Sequence, residues 1–192
     1  MEICSNGRME KFRLWHANGN LWVETHKING EFDGECKEWF ENGKLMAHGF
    51  YRNGKREGEH KTYYENGTRH TYGFYRDGNI EKWEMWYENG QLEARQFFHN
   101  GSESGERNIW HEIGRPMVRE FYHYGRRDGE HKLWRIDGTL SRYAFFQNGK
   151  AHNFTLKGKR TILRVKKWLR FQPLIPLVTP YIISDLANTI CR

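Results

Sequence analysis

The chain has 192 residues, a mean hydropathy of −0.95, 16% aromatic residues and a formal net charge of +7. No run reaches the roughly 18 apolar residues that a bilayer-spanning helix requires, so this composition excludes such a helix. The three cysteines are scattered and odd in number, which argues against a disulfide framework and favours free thiols in a reducing compartment. A very polar chain that is rich in rings is typical of a thin sheet whose aromatic side chains supply the burial.

A turn signal of Asn-Gly or a close variant recurs along the first 149 residues. The steps between turns alternate 11 and 13 residues with a single 12, so the period is 24 and is shortened once to 23. Such a period indicates a repeat architecture. Type I′ hairpin turns need positive φ at both central residues, which Asn and Gly tolerate. We therefore predict type I′ turns beginning at Asn18, Asn29, Asn42, Asn53, Asn66, Asp77, Asn89, Asn100, Ile113, Tyr124, Asp137 and Asn148.

The runs between the turns are about 7–9 residues long and rich in Trp, Tyr, Phe and Leu, which predicts strands. Large rings recur in pairs at the strand ends, and neighbouring residues of a strand point to opposite faces. Each pair therefore supplies one ring to each face. The rings either form the core of a thin sheet or, where uncovered, bind a partner. The candidate partner-binding rings are Trp39, Tyr63, Trp86, Trp110, Trp134, Phe50, Phe74, Phe97, Phe121 and Phe145.

Three segments carry a family resemblance: "YYENGxxxxxGFYRDG" at 63–78, "WFENGKLMAHGFYRNGKREGE" at 39–59 and "WYENGQLEARQFFHNG" at 86–101. They resemble MORN repeats, in the variant form of bacterial and marseillevirus-type tandem arrays. The resemblance extends over about residues 7–150. It implies an elongated, twisted single antiparallel sheet of successive β-hairpins with about 12 strands. It also implies a role in scaffolding, protein–protein contact or membrane association.

The repeats contain no pattern that is typical of catalysis. The sequence has no GxxxxGK[ST] phosphate loop, no HExxH and no GxSxG. We expect a non-enzyme without cofactor, metal site or small-molecule substrate. Glutamates that open equivalent strands recur with the fold, so we expect them to form turn contacts or cross-strand charge pairs rather than to act as acids or bases; they are Glu35, Glu59, Glu106 and Glu130. Residues 78–83 lose one position and this Gly-Glu opening, which predicts a local change in strand length.

The chain divides into a repeat array, residues 1–150, and a C-terminal tail, residues 151–192. Residues 1–149 hold 22 Lys/Arg and 23 Asp/Glu, whereas residues 150–192 hold nine Lys/Arg and one acid, so the tail carries +8. Apolar residues of 158–171 fall on one helical stripe, which predicts a short, basic amphipathic α-helix. The tail either caps the sheet or contacts an acidic surface. The candidate surface-binding residues are Lys159, Arg160, Arg164, Lys166, Lys167, Trp168 and Arg170.

These features favour an intracellular, non-enzymatic scaffold or adaptor that binds a protein partner or a second copy of itself. The tail adds a possible acidic membrane surface as partner. The resemblance to giant-virus arrays leaves a structural component of a large viral particle as an alternative. A nucleic-acid binder that uses the basic tail is another, although the nearly neutral array lacks a long basic track.

Overall fold

The computed structural model describes residues 3–4 and 7–153, which form one antiparallel sheet in which every strand pairs with the next along the chain. The two-residue β1 pairs only with the start of β2, and β2 to β14 form a continuous sheet of 13 strands. The strands are β1 Ile3–Cys4, β2 Gly7–Trp15, β3 Leu21–Ile28, β4 Glu31–Trp39, β5 Leu45–Arg52, β6 Lys55–Tyr63, β7 Arg69–Arg76, β8 Asn79–Trp86, β9 Leu92–His99, β10 Ser102–Trp110, β11 Pro116–His123, β12 Arg126–Trp134, β13 Leu140–Gln147 and β14 Lys150–Asn153.

The predicted all-β class and single antiparallel sheet are confirmed, with slightly more strands than predicted. At about 4.8 Å per strand, the sheet extends about 58 Å across its strands, roughly twice the length of one strand. The predicted C-terminal helix lies outside the described residues.

The turns are of two kinds, and the type I′ prediction is right for only one of them. Six turns have a non-glycine residue with φ between 47° and 53°, followed by a glycine with positive φ, as type I′ requires; these begin at Asn29, Asn53, Asp77, Asn100, Tyr124 and Asn148. At the other six turns only the glycine has positive φ. There the strands are joined by a five-residue loop. The steps alternate between 11 and 13 residues because the Asn position is third in the long loop but first in the two-residue turn, and because the strand that leads into most long loops has nine residues rather than eight.

One of these longer loops shows why its asparagine does not adopt positive φ. Tyr64 N donates to Thr68 O at 2.9 Å, and Gly67 N donates to Tyr64 O at 2.9 Å, which closes the loop around the glycine. Asn66 instead accepts a hydrogen bond from Thr68 N on its Oδ1 at 2.8 Å. The Asn side chain therefore satisfies a backbone donor of the loop, as Asn commonly does in turns.

The missing residue near position 80 is absorbed in a β-bulge. In a standard repeat, Phe50 pairs with Glu57 while His48 pairs with Lys61, so two extra residues bulge from the partner strand, and Gly58 takes φ 67° there. In the short repeat the pairs Tyr75–Ile80 and Phe74–Lys82 leave only Glu81 as an extra residue. The smaller bulge needs no glycine, which explains the lost Gly-Glu opening, and β8 still pairs with both neighbours.

Burial is unevenly distributed along the sheet. Strand β2 is exposed at every residue from Glu10 to Trp15. The most deeply buried apolar side chains lie in β13, where Tyr143, Ala144 and Phe145 are 1–2% exposed. The two ends of the array therefore present different surfaces, although the repeats share one backbone pattern.

Candidate protein-binding faces of the sheet

The strand register places the ten predicted rings on one face. Glu35 is paired with Phe50 and Glu106 with Phe121 across neighbouring strands, and paired residues project to the same side. Trp39 follows Glu35 by four positions on β4, so it shares that side as well. We call this side, which carries Glu35, Phe50, Trp39 and their repeat equivalents, the ladder face. Its Trp/Tyr row and its Phe row run along opposite ends of the strands.

A ladder of ion pairs and hydrogen bonds runs between the two ring rows. Glu35 contacts Lys37 Nζ at 2.8 Å on its own strand and His48 Nε2 at 2.9 Å on the next. The hydrogen bond from Lys37 lowers the pKa of Glu35 against the opposing effect of desolvation, with a smaller contribution from His48. The pattern repeats at Glu59 with Lys61 and Tyr72, Glu84 with Lys82 and Arg95, Glu106 with Arg119, and Glu130 with Lys132 and Tyr143.

Glu35 and Glu106 have a basic partner on the neighbouring strand, as the sequence predicts. Glu59 and Glu130 instead pair with a lysine of their own strand and reach the neighbouring strand through a tyrosine hydroxyl. Where both side chains are partly exposed, as in the pair of Glu35 and Lys37, such a pair contributes roughly 0–1 kcal/mol. The equivalent pair of Glu130 and Lys132 is buried. Both charges of each pair are neutralised locally, which leaves a flat surface of paired charges.

The ladder-face rings differ in accessibility. Phe50 is 42% and Phe97 38% exposed, whereas Phe145 is 1% exposed. Two further rings have a guanidinium stacked on them. The Arg69 guanidinium lies 5.1 Å from the centroid of the Trp86 ring, and the Arg119 guanidinium lies over the Phe121 ring. The Trp/Tyr row, Phe74 and Phe121 are half-buried. The ladder face is thus open at β5 and β9 and covered at β13.

The opposite side carries a hollow of about 250 Å³ between β4 and β8; we call this side the groove face. T-shaped ring contacts join Tyr51 to His60 at 5.2 Å and His60 to Tyr75 at 5.1 Å. The rings lie over two strand glycines. A Cβ on Gly49 would lie 2.2 Å from the His60 ring, and one on Gly73 would lie 2.6 Å from the Tyr75 ring. Glycine at these two positions therefore leaves space that the His60 and Tyr75 rings fill.

The polar groups around this hollow are fixed by internal bonds. His60 Nε2 donates to Phe50 O at 2.7 Å, and desolvation lowers the pKa of His60 despite that bond. Arg56 Nη1 donates to the Tyr75 hydroxyl at 3.0 Å. Burial raises the pKa of the Cys36 thiol, so it stays protonated and a poor nucleophile at neutral pH. The groove face offers a ring-walled recess rather than an activated nucleophile.

Sequence reasoning missed a buried carboxylate on the groove face. Glu120 is 2% exposed and contacts Arg127 Nε at 2.9 Å, His131 Nδ1 at 3.0 Å, Arg107 Nη1 at 3.3 Å and the Tyr122 hydroxyl at 3.1 Å. Burial acts to raise the pKa of Glu120, but the hydrogen bond from His131 and the charge of Arg127 outweigh it and hold that pKa below its usual value. The sequence signal for this site was an acid at a position where earlier repeats have threonine, glycine or glutamine.

The second ring of several pairs links neighbouring repeats at the long-loop edge. The Tyr64 hydroxyl donates to Trp86 O at 2.8 Å, and the Tyr87 hydroxyl donates to Trp110 O at the same distance. Asn89 Nδ2 donates to Glu112 O at 3.0 Å along the same edge. The partners are 22 or 23 residues apart, so these bonds join successive loops and hold the loop edge as a continuous row.

The predicted surface-binding site of the tail falls outside what the structure describes. The seven candidate surface-binding residues of the tail, Lys159 to Arg170, lie outside the described residues. Over residues 3–4 and 7–153, no group of three or more His, Cys, Asp and Glu side chains is arranged to hold a metal ion. That part of the chain also has no helix long and apolar enough to cross a bilayer.

Comparison with protein families identifies the repeat. Residues 32–53, 56–77 and 82–100 match the MORN repeat variant. Residues 32–100 are three consecutive MORN repeats. Each match contains one five-residue loop with most of its two flanking strands, and the third begins at residue 82, just after the bulge of β8. The MORN unit of this chain is therefore the hairpin around the long loop, and the type I′ turns join one unit to the next.

Other comparisons add little. No curated protein matches the chain. Two similar solved structures are the Glycosylation Associate Protein (Gap123) complex from Streptococcus agalactiae, with 11% identity and a TM-score of 0.27, and a GtfA/B complex bound to UDP and GlcNAc, with 8% identity and a TM-score of 0.23. They match 90% and 88% of this chain, which spans only 26% and 27% of theirs. Neither similarity bears on function.

Proposed function

We propose that this MORN-repeat protein is a non-enzymatic, intracellular scaffold or adaptor whose ladder face binds a protein partner. MORN repeats are consistent with a scaffold or protein-binding role. The observation that carries the proposal is the arrangement of two ring rows on either side of a ladder of paired charges, with Phe50 and Phe97 exposed.

The chemistry of this face suits a protein surface. Aromatic residues and arginine are enriched at the cores of protein interfaces, whereas lysine, glutamate and aspartate are depleted there. On the ladder face the carboxylates of Glu35 and Glu84 already have cationic partners within 2.7–2.9 Å, so binding does not have to neutralise them. The rings supply large rigid contact areas with little conformational entropy to lose.

A matched pair of substitutions tests which face binds. Phe97 on the ladder face is 38% exposed, and Phe32 in β4 is 39% exposed. Phe32 lies 5.5 Å from the ring of Tyr51 on the groove face, so it serves as a control of equal exposure. Partners recovered on the immobilised full-length protein should be lost with Phe97→Ala and retained with Phe32→Ala. Equal recovery by both variants, or loss with Phe32→Ala alone, would contradict the ladder-face proposal.

We further propose that the basic tail either caps the sheet or docks on an acidic surface. The charge of +8 over residues 150–192 supports the second role, since each Lys or Arg near an anionic bilayer adds roughly 1 kcal/mol of attraction. Full-length protein should sediment with phosphatidylserine vesicles at low salt and be released as salt rises. Replacement of Arg164 and Lys167 by alanine should weaken that binding, and unchanged sedimentation would remove the membrane role.

A further inference from the structure

One type I′ turn lacks a hydrogen bond that four others have. In those four, the glycine N–H donates to a carbonyl just after the preceding type I′ turn, at 2.8–3.0 Å; the pairs are Gly54 with Phe32, Gly78 with Arg56, Gly125 with Glu103, and Gly149 with Arg127. Each acceptor is the second residue of its strand, so the equivalent acceptor for Gly101 is Ile80. Over residues 3–4 and 7–153, however, Gly101 N has no hydrogen-bond partner.

The missing bond lies where the repeat is one residue short. In β8 only Glu81 is left as an extra residue of the bulge. At a standard turn the third residue of the equivalent strand adds a second bond, since Asn53 N donates to Asp33 Oδ2 at 3.0 Å. Glu81, at that position of β8, instead contacts Arg76 Nε at 3.3 Å. A hollow of about 380 Å³ lies between the Asn100 turn and the preceding one, so this turn has fewer bonds to its neighbour.

We propose that Asn100 is a site of spontaneous deamidation, and that it is modified several-fold faster than the hydrogen-bonded Asn-Gly pairs of the array. The Gly101 amide nitrogen gives its proton to solvent and attacks Asn100 Cγ. The new Cγ–N bond closes a five-membered succinimide, and the Cγ–Nδ2 bond breaks as Nδ2 takes up a proton from water and leaves as ammonia. Water then adds to either ring carbonyl and reopens the ring, which gives aspartate or isoaspartate. No oxidant or reductant takes part.

The environment of Asn100 favours this reaction. Asn100 and Gly101 are exposed, and glycine has no Cβ to shield the attacking nitrogen. A hydrogen-bonded N–H is held towards its acceptor and gives up its proton less readily, whereas the Gly101 N–H has no acceptor in the described part of the chain. The side chain reaches the nitrogen only if the turn rearranges, and a turn with fewer bonds opens at a lower free energy.

The asparagines of the long loops are held twice. Asn66 Oδ1 accepts a hydrogen bond from Thr68 N at 2.8 Å, which fixes the side chain, and Gly67 N donates to Tyr64 O at 2.9 Å. Both bonds recur at Asn18, Asn42 and Asn89. We therefore expect these asparagines to be modified more slowly than Asn100.

Modification of Asn100 changes the turn that joins β9 to β10. It adds one negative charge, and isoaspartate also adds one carbon to the backbone path. Phe97, which is 38% exposed on the ladder face, lies three residues earlier on β9. An aged molecule therefore differs from a new one beside an exposed ring of that face.

Asn53 is the matched control for a test by peptide mass spectrometry. It precedes Gly54 in an exposed type I′ turn with φ of 48° and 72°, against 50° and 74° at Asn100 and Gly101. Full-length protein is aged at mildly alkaline pH and digested, and aspartate plus isoaspartate is measured at both sites. Each rate is divided by the rate of the same site in urea, which removes the effect of local sequence. Asn100 should be modified several-fold faster than Asn53, and equal normalised rates would overturn the proposal.

A glycine inserted after Glu81 tests the cause, because it gives β8 the standard length and should allow Ile80 O to accept from Gly101 N. The rate at Asn100 should then fall to the rate at Asn53, which should not change. An unchanged rate at Asn100 in a folded variant would overturn the proposal. If the insertion prevents folding, hydrogen exchange of the wild-type amides decides instead. The Gly101 N–H should exchange faster than the Gly54 N–H, and equal exchange would overturn the proposal.

Discussion

The buried carboxylate of Glu120 predicts a large stability effect from a single charge. Glu120→Gln keeps the volume but removes the charge that faces Arg127 and His131 at 2.9 and 3.0 Å. The Arg127 side chain is 44% exposed and can be hydrated in the variant, whereas His131 is 10% exposed and cannot. Loss of one buried charged hydrogen bond and part of a second should cost about 2–3 kcal/mol in free energy of unfolding.

The matched control is Glu59→Gln, whose carboxylate is 50% exposed and contacts Lys61. It should cost less than about 1 kcal/mol. Urea titration at neutral pH, monitored by far-UV circular dichroism, measures the free energy of unfolding of both variants. For a chain of this size the Glu120 variant should also melt roughly 4–12 °C lower. Equal destabilisation by the two variants would refute the reasoning.

The difference in free energy of unfolding between wild type and Glu120→Gln depends on pH, and the pKa shift of Glu120 gives its sign. The pKa of Glu120 is lower in the folded protein than in the unfolded chain, where it is about 4.3. The stabilisation from its charge is therefore fully present above that value and is lost as the pH falls through the lower, folded-state pKa. The difference in free energy of unfolding between wild type and Glu120→Gln should shrink below about pH 4. A difference that persists in acid would contradict the assignment.

Three further substitutions test the backbone and the loop edge. Tyr124 has φ 47° and is 64% exposed; Tyr124→Asn should raise stability by roughly 0.5–1 kcal/mol because Asn tolerates that conformation, and an unchanged melting temperature would count against it. Gly73→Ala should lower the free energy of unfolding by about 1–3 kcal/mol because the added Cβ would clash with the Tyr75 ring, and the loss should be smaller in a Tyr75→Leu background if that clash is the cause. Tyr64→Phe removes the bond to Trp86 O and should cost about 1 kcal/mol in urea titration, whereas no change would mean that water replaces the bond.

The turn spacing was predictable from sequence, but the turn type was not. An Asn-Gly pair satisfies a type I′ turn at Asn53, where both residues take positive φ. The same pair at Asn66 sits in a five-residue loop, where only Gly67 does and the Asn side chain accepts a backbone hydrogen bond instead. Both conformations use the same two residues, so the dipeptide alone does not distinguish them. The alternating step length was the observation that separates the two classes.

The composition of the ladder face followed from the period of two along each strand, whereas its accessibility did not. Phe97 and Phe145 occupy the same repeat position and differ from 38% to 1% exposed. The exposed fraction of each ring depends on which residues pack over its strand, and the local sequence pattern does not encode that packing. Glu120 was missed for a related reason, because its partners Arg107 and His131 are 13 and 11 residues away on the two neighbouring strands.

The chain-order pairing of the strands has a consequence for how the protein is made. Each strand of the array contacts its sequence neighbours, so hairpins can form successively as the chain leaves the ribosome. Topologies with such local contacts fold faster than sheets that join distant segments. In linear arrays, stability is close to a sum of unit and neighbour terms. The exposed β2 hairpin should therefore exchange its amide hydrogens before the buried β12–β13 hairpin does, and unfolding should proceed from the amino-terminal end.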